Sequence, residues 1–169
     1  KKLAEEKGVL VAAGHIEQHN PIVDYTRSCI KGDVKLINSY RLGFNDRTTD
    51  IGVVADLAIH DVDVLTSIVG ADITEVSAQH LINPKTGHEF YGKLLLTFET
   101  GAVGSAEVSW VHPKKIRKIE AVTANSYVVA DYLDQTFNET RTVSGNKLSM
   151  KTTEVILQKE ESLKREHQD

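Results

Sequence analysis

The sequence predicts an α+β domain, an open and mainly antiparallel β-sheet with helices on one face. The first half contains helical segments with recognisable start and stop signals. From Ile73 onward, short alternating strands follow one another at a spacing that is typical of antiparallel hairpins. The chain has 169 residues, of which 40% are hydrophobic and 26% charged, so it can bury one core of ordinary composition.

The first segment indicates the end of an α/β unit. Residues 1–7 are strong helix formers, and Gly8 stands where a helix commonly ends. Residues 9–13, Val-Leu-Val-Ala-Ala, predict a short and fully buried strand of the kind found in parallel sheets. We therefore expect residues 1–14 to be the tail of an α/β unit whose body is missing.

Two further helices are predicted before the strands begin. Asn20 can cap the first, Pro21 suits its first position, and Gly32 is its expected terminator. The second helix is predicted from about residue 53 to residue 69, with Gly70 as its stop.

The remaining chain predicts strands and turns. Residues 90–98 alternate between apolar and polar side chains, and Glu99-Thr100-Gly101 turns the chain into the next strand. Turns are also predicted at Asn125-Ser126 and at Ser144-Gly145-Asn146. The later strands are predicted at residues 102–111, 116–123, 127–133, 136–143 and 148–157.

One face of such a sheet is left open by the helices. We assign Tyr91, Val103, Val111, Ile119 and Ala121 to this face, which makes it half apolar. Because large apolar faces usually find a partner, a homodimer or homotetramer formed through the sheet face is expected. The alternative is a solvent-exposed face with scattered apolar residues.

Charge and cysteine content exclude several classes of protein. A formal net charge of -4 argues against general affinity for nucleic acid or for anionic membranes. No apolar run approaches the roughly 20 residues that a membrane-spanning helix needs. The single cysteine, Cys29, cannot form an internal disulfide and is expected to be buried and reduced. The cytoplasm is the expected compartment.

The helix predicted from residue 53 carries the main chemical signal. With 3.6 residues per turn, Asp56, His60, Asp63 and Ser67 share one narrow stripe opposite an apolar face. Asp56 can accept a hydrogen bond from one ring nitrogen of His60 and fix its tautomer. The other nitrogen can then exchange a proton with a substrate hydroxyl.

Other interpretations of this helix remain open. An Asp and a His at this spacing are often a solvated surface pair, although Asp61 projects onto the apolar side and needs a buried partner. A metal ion held by Asp56, His60 and Asp63 is a second functional interpretation. The adjacent His60-Asp61 is similar to the doublet of HD phosphohydrolases, but those proteins are all-helical, so no metal site is predicted.

A second polar feature lies between two strands. Four of the five residues from Lys114 to Lys118 are cations, and they can bind an anionic group such as a diphosphate. The alternative is a charged edge strand that resists aggregation. His15 and Arg41, near turn residues at strand ends, are weaker binding candidates.

Together these residues resemble the Gfo/Idh/MocA family, the glucose–fructose oxidoreductase and inositol dehydrogenase group, over nearly the whole chain. The family's Asp-x-x-x-His pattern followed by Asp-x-Asp is present at residues 56–63. Residues 14–21 are similar to the family's interdomain link, with Gln18-His19 in place of the usual Arg-Phe. Residues 107–117 are similar to the branch that oxidises nucleotide sugars, and residues 160–166 look like the start of the family's final helix.

The resemblance implies a two-domain enzyme. A Rossmann domain would hold NAD or NADP and end in a Glu-Lys-Pro motif whose lysine assists catalysis. Neither this motif nor a Gly-x-Gly-x-x-Gly fingerprint occurs in the chain. Residues 1–14 would be the tail of that Rossmann domain. Residues 15–169 would be the C-terminal substrate-binding and oligomerisation domain, similar to that of glyceraldehyde-3-phosphate dehydrogenase and inactive alone.

For the complete enzyme the resemblance implies oxidation of a hydroxyl on a sugar, cyclitol or nucleotide sugar. His60, oriented by Asp56, would remove the hydroxyl proton while a hydride passes to the nicotinamide. Asp63 would bind a neighbouring hydroxyl, and Lys115 and Arg117 a diphosphate; Arg41 and His15 are further substrate-binding candidates. Two alternatives remain, a non-catalytic sugar-binding or dimerisation module and a metal-dependent hydrolase.

Overall fold

The computed structural model describes residues 2–11, 14–30, 33–45, 50–143, 149–160 and 162–166. In these residues the predicted α+β architecture is confirmed, since two helices pack on one side of a mainly antiparallel sheet. The helices are α1 (Lys2–Lys7), α2 (Pro21–Cys29), α3 (Ile59–Val69) and α4 (Ser162–Glu166), with a 3-10 turn at Ile16–His19 and a π-helical turn at Val54–Ala58.

The sheet formed by the described residues has eight strands in the order β2-β3-β4-β1-β5-β6-β7-β8. Neighbouring strands pair antiparallel, except that β1 and β4 run parallel at the centre. The strands are β1 (Val34–Phe44), β2 (Ile73–Ile82), β3 (Glu89–Phe98), β4 (Val103–Ser109), β5 (Val111–Thr123), β6 (Ser126–Asp131), β7 (Thr136–Val143) and β8 (Ser149–Ile156).

Local signals determine where α2 and α3 begin and end. The Asn20 side chain accepts a hydrogen bond from the Ile22 amide and caps α2, as predicted. Gly70 ends α3 with φ +70°, a left-handed conformation that a residue with a Cβ adopts only under strain. Gly32, the predicted terminator of α2, lies outside the described residues, as does the predicted turn at 144–146.

The core lies between the sheet and these two helices. The helices contribute buried Ile22 and Val23 from α2 and Val64 and Leu65 from α3. They pack on apolar side chains of the sheet, among them Ile37, Leu96, Phe98, Val108, Ile119 and Val128. None of the described helices is long and apolar enough to cross a membrane.

The strand predicted at residues 9–13 is wrong where the structure describes it. Residues 9–11 form no strand, and Val9, Leu10 and Val11 are exposed. An apolar run becomes a buried strand only when neighbouring strands cover it. No described strand pairs with this segment.

The predicted membership of the open sheet face needs one correction. Ile119 and Ala121 are buried under the helices, because they lie opposite Ser39 and Ile37 of β1 on the covered face. Val103 and Val111 are exposed as predicted. Register irregularities where β1 meets the start of β5 break the simple alternation from Val111 onward.

Candidate active site

The chain enters α3 through the π-helical turn, which lies close against the sheet. A Cβ on Gly92 of β3 would come within 2.6 Å of the Val54 side chain, so glycine allows the close approach. A π-helix closes i→i+5 hydrogen bonds, so its side chains do not follow the α-helical stripe, and such turns are frequent at functional sites. Asp56, the first residue of the predicted stripe, lies in this turn. Its position therefore follows π-helical and not α-helical geometry.

A cleft of about 490 Å³ opens beside this turn at the end of the central strands. Asp56 lines it together with Lys115 and Arg117 of β5, Trp110 and the end of β1 at residues 43–45. The structure therefore brings together the acidic residue of the predicted motif and the two predicted anion-binding cations, although they are far apart in sequence.

The two cations of the cleft have no carboxylate within salt-bridge distance among the described residues. Arg117 donates from Nη1 to the carbonyl oxygens of Leu42 at 2.9 Å and Ile116 at 3.0 Å. Burial lowers the pKa of Arg117, and the nearby charge of Arg41 lowers it further. Because neither positive charge is neutralised by a close anion, both are available to an anionic ligand.

His60 lies in the first turn of α3 and is half-buried. Its Nδ1 atom is buried and has no hydrogen-bond partner. The predicted hydrogen bond from His60 to Asp56 is absent from the structure, because the π-helical turn moves Asp56 off the i,i+4 position of a regular α-helix.

A charged cluster lies in the interior, next to the first turn of α3 that carries His60. Arg41 of β1, 5% exposed, donates from Nε to Asp61 at 2.8 Å and from Nη1 to Glu17 at 2.7 Å. Asp61 is 2% exposed and Glu17 22% exposed. The buried partner that the sequence required for Asp61 is thus Arg41.

The cluster corrects the substrate-binding role predicted for Arg41. Burial disfavours its charge, but the Asp61 and Glu17 carboxylates outweigh this and raise the pKa of Arg41. Its guanidinium lies under the Tyr132 ring, 6.0 Å from the ring centroid, and its remaining Nη2 atom is also buried. Arg41 therefore ties β1 to α3 and to the 3-10 turn.

The last two residues of the predicted stripe, Asp63 and Ser67, contact the 3-10 turn and α2. Asp63 accepts a hydrogen bond from Gln18 Nε2 at 2.6 Å and lies 3.6 Å from His15 Nδ1. Gln18 also accepts a hydrogen bond from Arg27, which donates to Ser67 at 2.7 Å. The structure therefore brings His15 and Asp63 together, in a polar contact between segments that is separate from the cleft.

The three side chains of the metal hypothesis do not converge. Within the described ranges no group of three or more His, Cys, Asp or Glu residues is arranged to hold a metal ion. Asp56 lines the cleft, while Asp63 is bonded to Gln18.

The sequence did not identify Glu17 as a functional candidate. Glu17 precedes the Asn20 cap by three residues, which is also what an ordinary solvated turn contains. The requirement for a buried partner at Asp61 was the only related signal, and it did not point to Glu17.

The comparisons with known proteins identify the family and the fold of this chain. Residues 33–129 match the model of the GFO/IDH/MocA C-terminal domain. The UDP-N-acetylglucosamine 3-dehydrogenase of Acidithiobacillus ferrooxidans is 28% identical over 137 residues, which are 80% of this chain and 44% of that protein.

Solved structures show the same fold. The structure of the Acidithiobacillus ferrooxidans enzyme superposes with a TM-score of 0.86 at 26% identity. The matched region covers 99% of this chain and 55% of that enzyme's chain. An inositol dehydrogenase homolog from Azotobacter vinelandii, with NADH and myo-inositol, shares the fold at a TM-score of 0.70 and 13% identity, over 88% of this chain and 44% of that one. The chain spans about half the length of these relatives, and it belongs to the GFO/IDH/MocA family through the C-terminal domain that residues 33–129 match.

Proposed function

We propose that this chain is the substrate-binding half of a NAD(P)-dependent dehydrogenase that oxidises a hydroxyl of a nucleotide sugar. The observation that carries the proposal is the shared cleft, in which Asp56 of the Asp-x-x-x-His motif lies with the unneutralised Lys115 and Arg117. The name of the 28% identical relative, a UDP-N-acetylglucosamine 3-dehydrogenase, supports a nucleotide sugar over a free sugar or cyclitol.

In this proposal the proton transfer belongs to His60. An imidazole is suited to the task because its ordinary pKa lies near neutral pH and either ring nitrogen can accept or donate a proton. Asp56, which makes no side-chain hydrogen bond within the described part of the chain, contacts the substrate hydroxyls in the cleft.

The diphosphate of the substrate is proposed to bind Lys115 and Arg117. Both lie on β5 and line the cleft that Asp56 of the π-helical turn also lines. Arg117 is held in place by its bonds to two backbone carbonyls, so little side-chain freedom remains to be lost on binding. Asp63 and His15, which lie near each other outside the cleft, are proposed to hold the 3-10 turn against α3 instead of contacting the sugar.

The cofactor is proposed to bind outside this chain. The sequence contains no Gly-x-Gly-x-x-Gly fingerprint, so its residues do not fit a dinucleotide site. NAD or NADP would be held by a preceding Rossmann domain, of which residues 1–14 are the tail, with residues 15–169 as the C-terminal domain. The redox half of the reaction belongs to that domain, and the residues of this chain supply substrate contacts and proton transfer.

The open sheet face is proposed to form a homodimer or homotetramer in the cytoplasm. Leu36 and Val103 are register partners on this face, and both are exposed together with Leu95. Exposed leucines and valines that adjoin each other in this way favour association. Sedimentation of the full-length protein tests this, and a monomer at micromolar concentration would contradict it.

The function is tested with the full-length protein and the His60→Asn variant. With UDP-N-acetylglucosamine and either nicotinamide cofactor, turnover should fall by a factor of roughly 100 to 10,000, the usual contribution of a general acid or base. Cofactor binding, measured by fluorescence titration, should stay unchanged. Full activity in the variant would refute the role of His60, and a wild type inactive on every sugar offered would favour a non-catalytic binding module.

A further inference from the structure

The charged cluster next to His60 contains Glu17, a carboxylate that the proposed reaction does not use. Glu17 lies in the 3-10 turn, and Arg41 joins it to Asp61, the residue that follows His60 in α3. Through these two ion pairs, the turn that carries Glu17 is held against the first turn of α3. The cluster therefore fixes the position of Glu17 relative to the helix that carries the proposed base.

Glu17 has capacity for another hydrogen bond. Its Oε1 accepts from Arg41 at 2.7 Å, and among the described residues its Oε2 accepts only a long bond of 3.4 Å from Asn20. A carboxylate offers about four lone-pair sites, so at least one strong acceptor site remains. On the other side, the buried Nδ1 of His60 needs a partner, because buried polar atoms without one are rare and costly.

The charges of the two residues also interact. Burial raises the pKa of Glu17, but the outcome is a lowered pKa, because Arg41, Asn20 and His60 all favour the carboxylate. Glu17 is therefore ionised at neutral pH and acts on His60 as a negative charge. The Asp56 carboxylate lines the cleft and is therefore placed to contact the substrate.

We propose that Glu17 is the positioning residue of His60. Its carboxylate accepts a hydrogen bond from Nδ1–H through one buried water, and this leaves Nε2 unprotonated for proton transfer. Arg41 and Asp61 keep Glu17 in place, and Asp56 is left to the substrate. The proposal deepens the proposed function and rests on it.

The first test is the tautomer of His60 in the full-length protein. Selective ¹⁵N-histidine labelling reports which ring nitrogen is protonated, and His60→Asn identifies its signals among those of the seven histidines of this chain. At a pH where the ring is neutral, we expect protonated Nδ1 and free Nε2. The opposite tautomer would overturn the proposal, and this measurement needs no variant of Glu17.

The second test is Glu17→Gln, which keeps the size of the side chain and removes its charge. We expect kcat to fall at least roughly tenfold with KM changed less than about twofold, because the substrate contacts remain while the base is mispositioned. The His60 signals should shift toward a mixture of tautomers. Glu17→Asp, which retains the carboxylate, should recover part of kcat.

The matched control is Glu107→Gln on the open sheet face. This change also removes a carboxylate from an ion pair, the one with Lys93 at 3.1 Å, and should alter neither kcat nor the His60 signals. Unchanged kcat and tautomer in Glu17→Gln would overturn the positioning role while leaving the dehydrogenase proposal intact. The reverse outcome, the expected tautomer without any dehydrogenase activity, would support the positioning by Glu17 and refute the proposed function.

Discussion

Arg41 and Arg117 lie opposite each other on β1 and β5, on the same face of the sheet, yet their surroundings differ. Arg41 is buried between Asp61 and Glu17. Arg117 lines the cleft and bonds only to backbone carbonyls among the described residues. Their pKa values move in opposite directions, since carboxylates raise that of Arg41 and burial lowers that of Arg117.

The difference separates a charge that is neutralised inside the protein from one that is proposed to bind a ligand. A buried cation that is already neutralised by two carboxylates gains nothing from a further anion, and removing it leaves those anions unpaired. A cation without a close anion carries a desolvation cost that a bound phosphate relieves. Neighbouring arginines of one sheet can thus serve stability and binding separately.

The largest expected effect comes from removing the buried arginine. Arg41→Met leaves Asp61 and Glu17 unpaired in the interior, and we expect the free energy of unfolding to fall by about 3–5 kcal/mol. Arg117→Met removes two hydrogen bonds to backbone carbonyls, with an expected loss of about 1 kcal/mol. Urea unfolding of the full-length protein, followed by Trp110 fluorescence, measures both. Equal losses would show that the two arginines do not differ as described.

The next effect concerns ligand binding, for which the cations of the cleft should matter more than Arg41. Arg117→Gln together with Lys115→Gln should weaken a UDP-sugar by roughly 10- to 100-fold, the value of one or two charged hydrogen bonds. Affinity for the corresponding free sugar should stay the same, because it has no diphosphate. Isothermal titration of the full-length protein with both ligands separates the cases. If both ligands lose affinity equally, the cations do not bind the diphosphate.

Much of the fold was predictable because its signals are local. The cap at Asn20 and the stop at Gly70 depend on residues next to them, and both are confirmed. The bounds of β1 were not predicted, although it is central in the sheet. Its sequence, with Asn38, Ser39 and Arg41 inside the strand, does not alternate cleanly, because Arg41 occupies a core position that only its long-range partners make tolerable.

The candidate site was predictable only in part. Asp56, Lys115 and Arg117 were identified from the sequence, and the fold places them in one cleft. The pairing of Asp56 with His60 was wrong because an α-helical period was assumed across what is a π-helical turn. Glu17 was missed because its importance depends on Arg41, which lies 24 residues away in the sequence.

The smallest expected effect tests the charge state of Glu17. Its pKa is lowered from the ordinary value of 4.5, since Arg41 and its other partners outweigh the effect of burial. A lowered pKa in the folded state contributes stability that is present above pH 4.5 and is lost as the pH falls through the folded value. Free energies of unfolding of the wild type and of Glu17→Gln can be measured by urea denaturation from about pH 7 to about pH 3. The two values should become equal at the lowest pH. Glu107→Gln serves as the control for a carboxylate in an ion pair outside this cluster, the one with Lys93. A gap between wild type and Glu17→Gln that stays constant down to the lowest pH would mean that the Glu17 carboxylate is not stabilised by Arg41. In that case the cluster next to His60 would hold the fold through Arg41 and Asp61 alone.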